Sequence, residues 1–125
     1  MPQKSFTVYV VDDDDSIRRA LKRLLVSSGY QALTFESAEA FLDSASSLGE
    51  GCLLLDIRLP GMTGLDLQEK LSASGASYPI VFMTAHDNPQ WREKANKGGA
   101  IAYLRKPFGD QSLLDAIQFA CGKAH

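Results

Sequence analysis

The sequence predicts an α/β fold, a parallel sheet with helices on both faces. Short, nearly continuous apolar runs recur at FTVYVV (6–11), CLLL (52–55), PIVFM (79–83) and AIAYL (100–104), the pattern of strands buried on both faces. The segments between them carry the apolar period of helices. Repeated strand-helix alternation, βαβαβαβαβα, implies right-handed crossovers and a single layered core.

Each element has its own signal. After the first run, Ile17, Ala20, Leu21, Leu24 and Leu25 recur at helical spacing through residues 15–28, while Arg18, Arg19, Lys22 and Arg23 form a basic stripe facing solvent. Gly29 supplies a stop. YQALTF (30–35) alternates and reads as an edge strand. A short helix opens near Ser37 with Ala40, Phe41 and Ala45 inward. Past the third strand, Pro60, Gly61 and Gly64 read as turn formers. Thr63 and Asp66 make a capping box for a helix that buries Leu67 and Leu71. The fourth helical segment, 89–99, has only Trp91 and Ala95 as an apolar face before Gly98 and Gly99, so it is expected to be the least ordered. A fifth helix begins near Asp110 and buries Leu113, Leu114, Ile117 and Cys121.

The chain of 125 residues fits one domain, 1–125, and its 45% hydrophobic and 22% charged content are those of a folded globular protein. A formal net charge of -2 gives no reason to expect nucleic-acid binding by this segment. Cys52 and Cys121 sit in apolar segments and read as buried free thiols, which suits a reducing compartment. MPQKSF has no apolar signal core, and no run approaches membrane-spanning length. The expectation is a cytoplasmic protein with no membrane contact.

Ligands of open α/β sheets bind beyond the carboxyl ends of the strands. Asp12 and Asp13 follow the first strand, Asp56 the third, Thr84 ends the fourth and Lys106 lies just past the fifth. Three carboxylates, a hydroxyl and an ammonium thus belong at one sheet edge. Ionised carboxylates about 4 Å apart repel by roughly 4 kcal/mol at an effective dielectric of about 20. A hard cation with open water positions, Mg²⁺, suits such a cluster. Asp15 is expected to cap the first helix and Asp14 to face solvent at the rim.

In order along the chain, VVDDDDSIRRAL, LLLDIRLPGMTGLDL, VFMTAH and AYLRKPF resemble the receiver domains of bacterial two-component response regulators of the FixJ type, over Thr7 to about Ala120. That resemblance implies a flavodoxin-like (βα)5 three-layer sandwich with strand order 2-1-3-4-5. It implies that Asp56 accepts a phosphoryl group, with Mg²⁺ bound by Asp13, Asp56 and the backbone carbonyl of Arg58 and its water shell held by Asp12. Thr84 and Lys106 would contact the phosphoryl oxygens, Tyr103 would turn inward when Thr84 moves, and the Lys106–Pro107 bond would be cis. Asp14, Arg58 and His86 occupy rim positions that tune phosphate lifetime, and Asp14 is expected to pair with Arg58 across the mouth.

The implied partner is a sensor histidine kinase or phosphotransfer domain docking on the first helix. Phosphorylation would promote a homodimer through the face of the fourth helix, fifth strand and fifth helix. Because the sequence stops after that helix, DNA binding is expected from elsewhere in a longer transcription regulator, with a stand-alone receiver or a hybrid kinase as alternatives. An aspartate-nucleophile phosphatase of the haloacid dehalogenase kind needs a second aspartate where Arg58 stands. A flavodoxin-like cofactor binder needs a phosphate cradle where four aspartates stand. A degenerate receiver would have lost some of the five site residues. The expectation is a switch and not a dedicated enzyme.

Overall fold

The computed structural model describes residues 6–76, 78–86 and 88–124. The MPQKS segment of the leader reading lies outside them. The elements are β1 Thr7–Val11, α1 Asp15–Ser27, β2 Gln31–Phe35, α2 Ala38–Ser44, β3 Gly51–Asp56, α3 Gly64–Ala73, β4 Ile80–Thr84, α4 Pro89–Lys97, β5 Ala102–Arg105 and α5 Asp110–Ala124. A single 3₁₀ turn, Ala45–Ser47, follows α2.

All strand pairs are parallel, in the order β2-β1-β3-β4-β5. Alternation within each strand divides the interior in two. Val8, Val10, Cys52, Leu54, Val81 and Met83 face α1 and α5, where Leu21, Leu25, Leu113 and Ile117 cover them. Tyr9, Val11, Leu53, Leu55 and Phe82 face the other way, under Phe41, Leu67, Leu71 and Ala95. Both cysteines are buried free thiols, and burial pushes Cys52 up to about 12. No helix among the described residues is long and apolar enough to cross a membrane.

Local signals act as the sequence implies. Gly29 takes φ 96 directly after α1, a left-handed conformation that costs glycine nothing. Tyr30 N–H then donates to Leu25 O at 3.0 Å and closes the helix end. The Thr63–Asp66 capping box is present.

Two expectations need correction. AIAYL was read as a strand buried on both faces, but β5 is an edge strand and only half-buried, because among the described residues no strand pairs beyond it. Ala20 was placed inward on α1 but is exposed; the buried stripe runs through Leu21 and Leu25.

Candidate functional site

Register brings the predicted residues together. Val11 pairs with Leu55, so the next residues, Asp12 and Asp56, leave adjacent strands side by side. Asp56 pairs with Met83 and Thr84 with Arg105, which sets Thr84 and Lys106 one step further across the same edge.

Asp12 is fully buried and held at four points. Its N–H donates to Phe35 O at 3.2 Å, and its carbonyl accepts from Arg18 Nη1 at 2.7 Å. Its Oδ1 accepts from Asp14 N–H at 2.9 Å and its Oδ2 from Lys106 Nζ at 2.7 Å. Asp56, 6% exposed, accepts from Arg58 N–H at 3.2 Å and from Lys106 Nζ at 3.4 Å. Asp13 is exposed, and each of the three carboxylates offers an oxygen within 4.8 Å of the others.

Burial raises the Asp56 carboxyl above the ordinary range; the Lys106 charge opposes that and the Asp12 charge adds to it. For Lys106, burial pulls down, but its hydrogen bond to Asp12 and the charges of Asp56 and Asp12 leave it raised. One ammonium, bonded to Asp12 and Asp56, therefore stands at a cluster of three carboxylates, an excess of negative charge that a divalent cation would offset.

The donor set fits such an ion. All donors are hard oxygens, and bonds of about 2.1 Å in an octahedron span about 4.2 Å between trans ligands. The oxygens that Asp12, Asp13 and Asp56 offer already lie within 4.8 Å of one another. Asp13 and Arg58 also line a cleft of about 400 Å³ with Thr63, Leu65 and Trp91.

Thr84 is buried; its Oγ1 accepts from His86 N–H at 3.2 Å, and its carbonyl accepts from Lys106 N–H at 2.8 Å. Tyr103 is half-buried with its hydroxyl oxygen enclosed, and the Arg92 guanidinium lies 4.9 Å from its ring centre. The Lys106–Pro107 bond is cis. The His86 side chain is exposed.

Three rim assignments change. Asp14, not Asp15, is the helix cap, in extended backbone with its Oδ1 accepting from Ile17 N–H at 3.1 Å. That engagement replaces the expected pair with Arg58, and no Asp14–Arg58 ion pair occurs among the described residues. Asp15 instead sits in the first turn and pairs with Arg18 at 3.2 Å and Arg19 at 3.1 Å.

Two supports were missed from sequence. The Glu39 carboxylate accepts from Met62 N–H at 3.0 Å, bracing the loop after Asp56 from α2. Gly61 takes φ 74 there, and a Cβ on it would meet the same carboxylate. A Cβ at Gly64 would strike the Asp56 carbonyl, so that glycine lets α3 begin directly beneath the central aspartate. The glycines were visible as turn formers; their contacts were not.

The response regulator receiver domain family matches residues 8–118. The chain belongs to that family. This receiver domain is 42% identical over 120 residues to the response regulator protein TmoT of Ectopseudomonas mendocina, covering 96% of this chain and 54% of TmoT. It is 40% identical over 124 residues to the transcriptional regulatory protein FixJ of Azorhizobium caulinodans, covering 99% and 58%. The crystal structure of full-length FixJ from B. japonicum superposes with a TM-score of 0.91 at 37% identity, covering 98% of this chain and 60% of that one. The chain thus spans little more than half the length of the curated relatives it matches. Its fold is the flavodoxin-like receiver fold, and its likeness is to the receiver part of FixJ-like transcriptional response regulators.

Proposed function

We propose that this receiver domain is a phospho-accepting switch, with Asp56 as the acceptor. The observation that carries the reading is the convergence of Asp12, Asp13 and Asp56 within 4.8 Å beneath an ammonium that bonds two of them. Asp12, Asp13, Asp56 and the Arg58 carbonyl would hold Mg²⁺, which when bound neutralises charge on an incoming phosphoryl group.

An Asp56 carboxylate oxygen forms the new bond to phosphorus as the bond to a phosphohistidine nitrogen breaks. Lys106 then binds a phosphoryl oxygen in exchange for part of its contact with the carboxylates. The Thr84 hydroxyl donates to another, which draws it away from His86 N–H. Thr84 and Tyr103 stand on neighbouring strands, two residues out of register and so on the same face of the sheet. A shift at the tip of β4 therefore reaches Tyr103, and Arg92 on α4 with it.

The donor is a sensor histidine kinase or phosphotransfer domain. The fitting surface is the apolar hollow beside Lys106, lined by Ile17, Ala20, Leu21, Pro107 and Phe108. The output is pairing through α4, β5 and α5, within a longer cytoplasmic transcription regulator; the part-length match to TmoT and FixJ supports that setting. Asp14, Arg58 and His86 tune access of water to the acyl phosphate.

Acetyl phosphate with and without Mg²⁺, followed by intact mass, tests the reading. A Mg²⁺-dependent gain of one phosphoryl group, lost in Asp56→Asn, is expected. An equal gain in Asp56→Asn, or none in the parent protein, overturns it.

A further inference from the structure

Arg18 was read as one member of a solvated basic stripe, yet only 16% of its side chain is exposed, against 69% for Arg19. It turns back toward the start of α1. Nη1 donates to the Asp12 carbonyl at 2.7 Å, Nη2 donates to Asp15 Oδ1 at 3.2 Å, and its backbone N–H donates to Asp14 O at 3.0 Å.

We propose that Arg18 is a positioning residue for the metal site, fixing the peptide between Asp12 and Asp13 and so the placement of the Asp13 carboxylate. This rests on the reading of the acidic cluster as a Mg²⁺ site. Asp12 has its carboxylate gripped on both oxygens, by Asp14 N–H and Lys106. Asp13 has no such hold: among the described residues, no hydrogen bond reaches its carboxylate. Its direction follows from its backbone, and Arg18 anchors the carbonyl of the preceding peptide. A planar guanidinium with two anchored nitrogens sets that peptide more firmly than a single rotatable ammonium.

Charge and geometry act with opposite sign at this position. A guanidinium near the cluster repels a divalent cation, so Coulomb's law alone makes Arg18→Ala bind Mg²⁺ more tightly. Positioning makes it bind more weakly, by about tenfold, the lower range for outer groups that orient metal ligands. Geometry also separates ions: Mg²⁺ demands near-ideal octahedral ligands, while Ca²⁺ accepts irregular ones. A loosened Asp13 therefore loses Mg²⁺ affinity more than Ca²⁺ affinity.

The test is calorimetric titration of Mg²⁺ and Ca²⁺ into the parent protein, Arg18→Ala and Arg19→Ala, with circular dichroism confirming that each is folded. Weaker Mg²⁺ binding and a reduced preference for Mg²⁺ over Ca²⁺ in Arg18→Ala, with Arg19→Ala at parent values, is the expected result. Unchanged or tighter Mg²⁺ binding in Arg18→Ala, or equal losses for both ions, overturns the proposal. Should Arg18→Ala not fold, Arg18→Met keeps the aliphatic stem and removes the donors to the carbonyl; the same shift in ion preference is expected, and unaltered preference overturns it. Absence of Mg²⁺ binding to the parent protein would instead remove the metal-site reading itself.

Discussion

Lys106 Nζ lies 2.7 Å from Asp12 Oδ2, closing a contact between the loop after the last strand and a carboxylate with no solvent exposure. Removing one partner of such a pair leaves a buried charge uncompensated. Lys106→Met, which keeps most of the aliphatic stem, is expected to destabilise the domain by about 3 kcal/mol in chelator-treated buffer. Urea unfolding measures this, and the loss should shrink in saturating Mg²⁺, because an ion bound only to the native state restores the balance. The raised Lys106 value adds an alkaline signature. Its contribution is complete below the unfolded value of about 10.4 and is lost as pH rises through the folded one.

Trp91, the single tryptophan, shares a cleft with Asp13 and Arg58. Mg²⁺ titration should change its fluorescence. In Asp13→Asn the same change should need more than about tenfold higher Mg²⁺, since even outer-group losses at metal sites reach that size. An unaltered titration in Asp13→Asn would remove Asp13 from the ligand set.

Ionised Asp56 is a liability without metal. Its carboxyl is raised, by burial first and by the Asp12 charge as well, so the native state binds its proton more tightly than the unfolded chain does. Stability from this group is therefore full below the unfolded value of about 3.9 and falls as pH rises through the raised native value. Asp56→Asn should be more stable than the parent protein at neutral pH in chelator, with the difference vanishing in acid. Thermal melts across pH measure it, and a constant difference at all pH values would contradict the assignment.

Among α1 to α5, helix α4 has the fewest buried residues. Ala95 is its one buried residue, and Gln68 Nε2 of α3 donates to Ala95 O at 3.1 Å near its far end. Hydrogen exchange at residues 89–97 should outpace that of α1, and Gln68→Ala should speed it further. Equal protection of the two helices would count against a mobile α4.

Strand ends were legible because apolar runs stop abruptly at charged residues: Val11 gives way to Asp12, and Leu55 to Asp56. With those ends fixed, the rule for open parallel sheets brings Asp12, Asp13, Asp56, Thr84 and Lys106 to one edge without any tertiary information. The helix cap escaped by one residue. Four successive aspartates carry the same side chain, and which one caps depends on backbone angles, extended at Asp14 and helical from Asp15 onward. Arg18 escaped because a helical projection assigns it a direction but not a reach; side chains lean toward the helix N-terminus, and a long one there meets the preceding loop. The apolar run alone overstated the burial of β5, because helices on either side of the sheet give an outer strand apolar neighbours too, whereas the strand order implied by the resemblance already put it at the edge.

That Asp12 and Lys106 stand 94 positions apart in the chain has a consequence for synthesis. During translation the acidic pocket emerges early, but its ammonium arrives only with the final strand. A half-made chain carries Asp12, Asp13 and Asp56 without the ammonium that bonds two of them. On the proposed reading, competence to accept phosphate would then follow completion of the sheet.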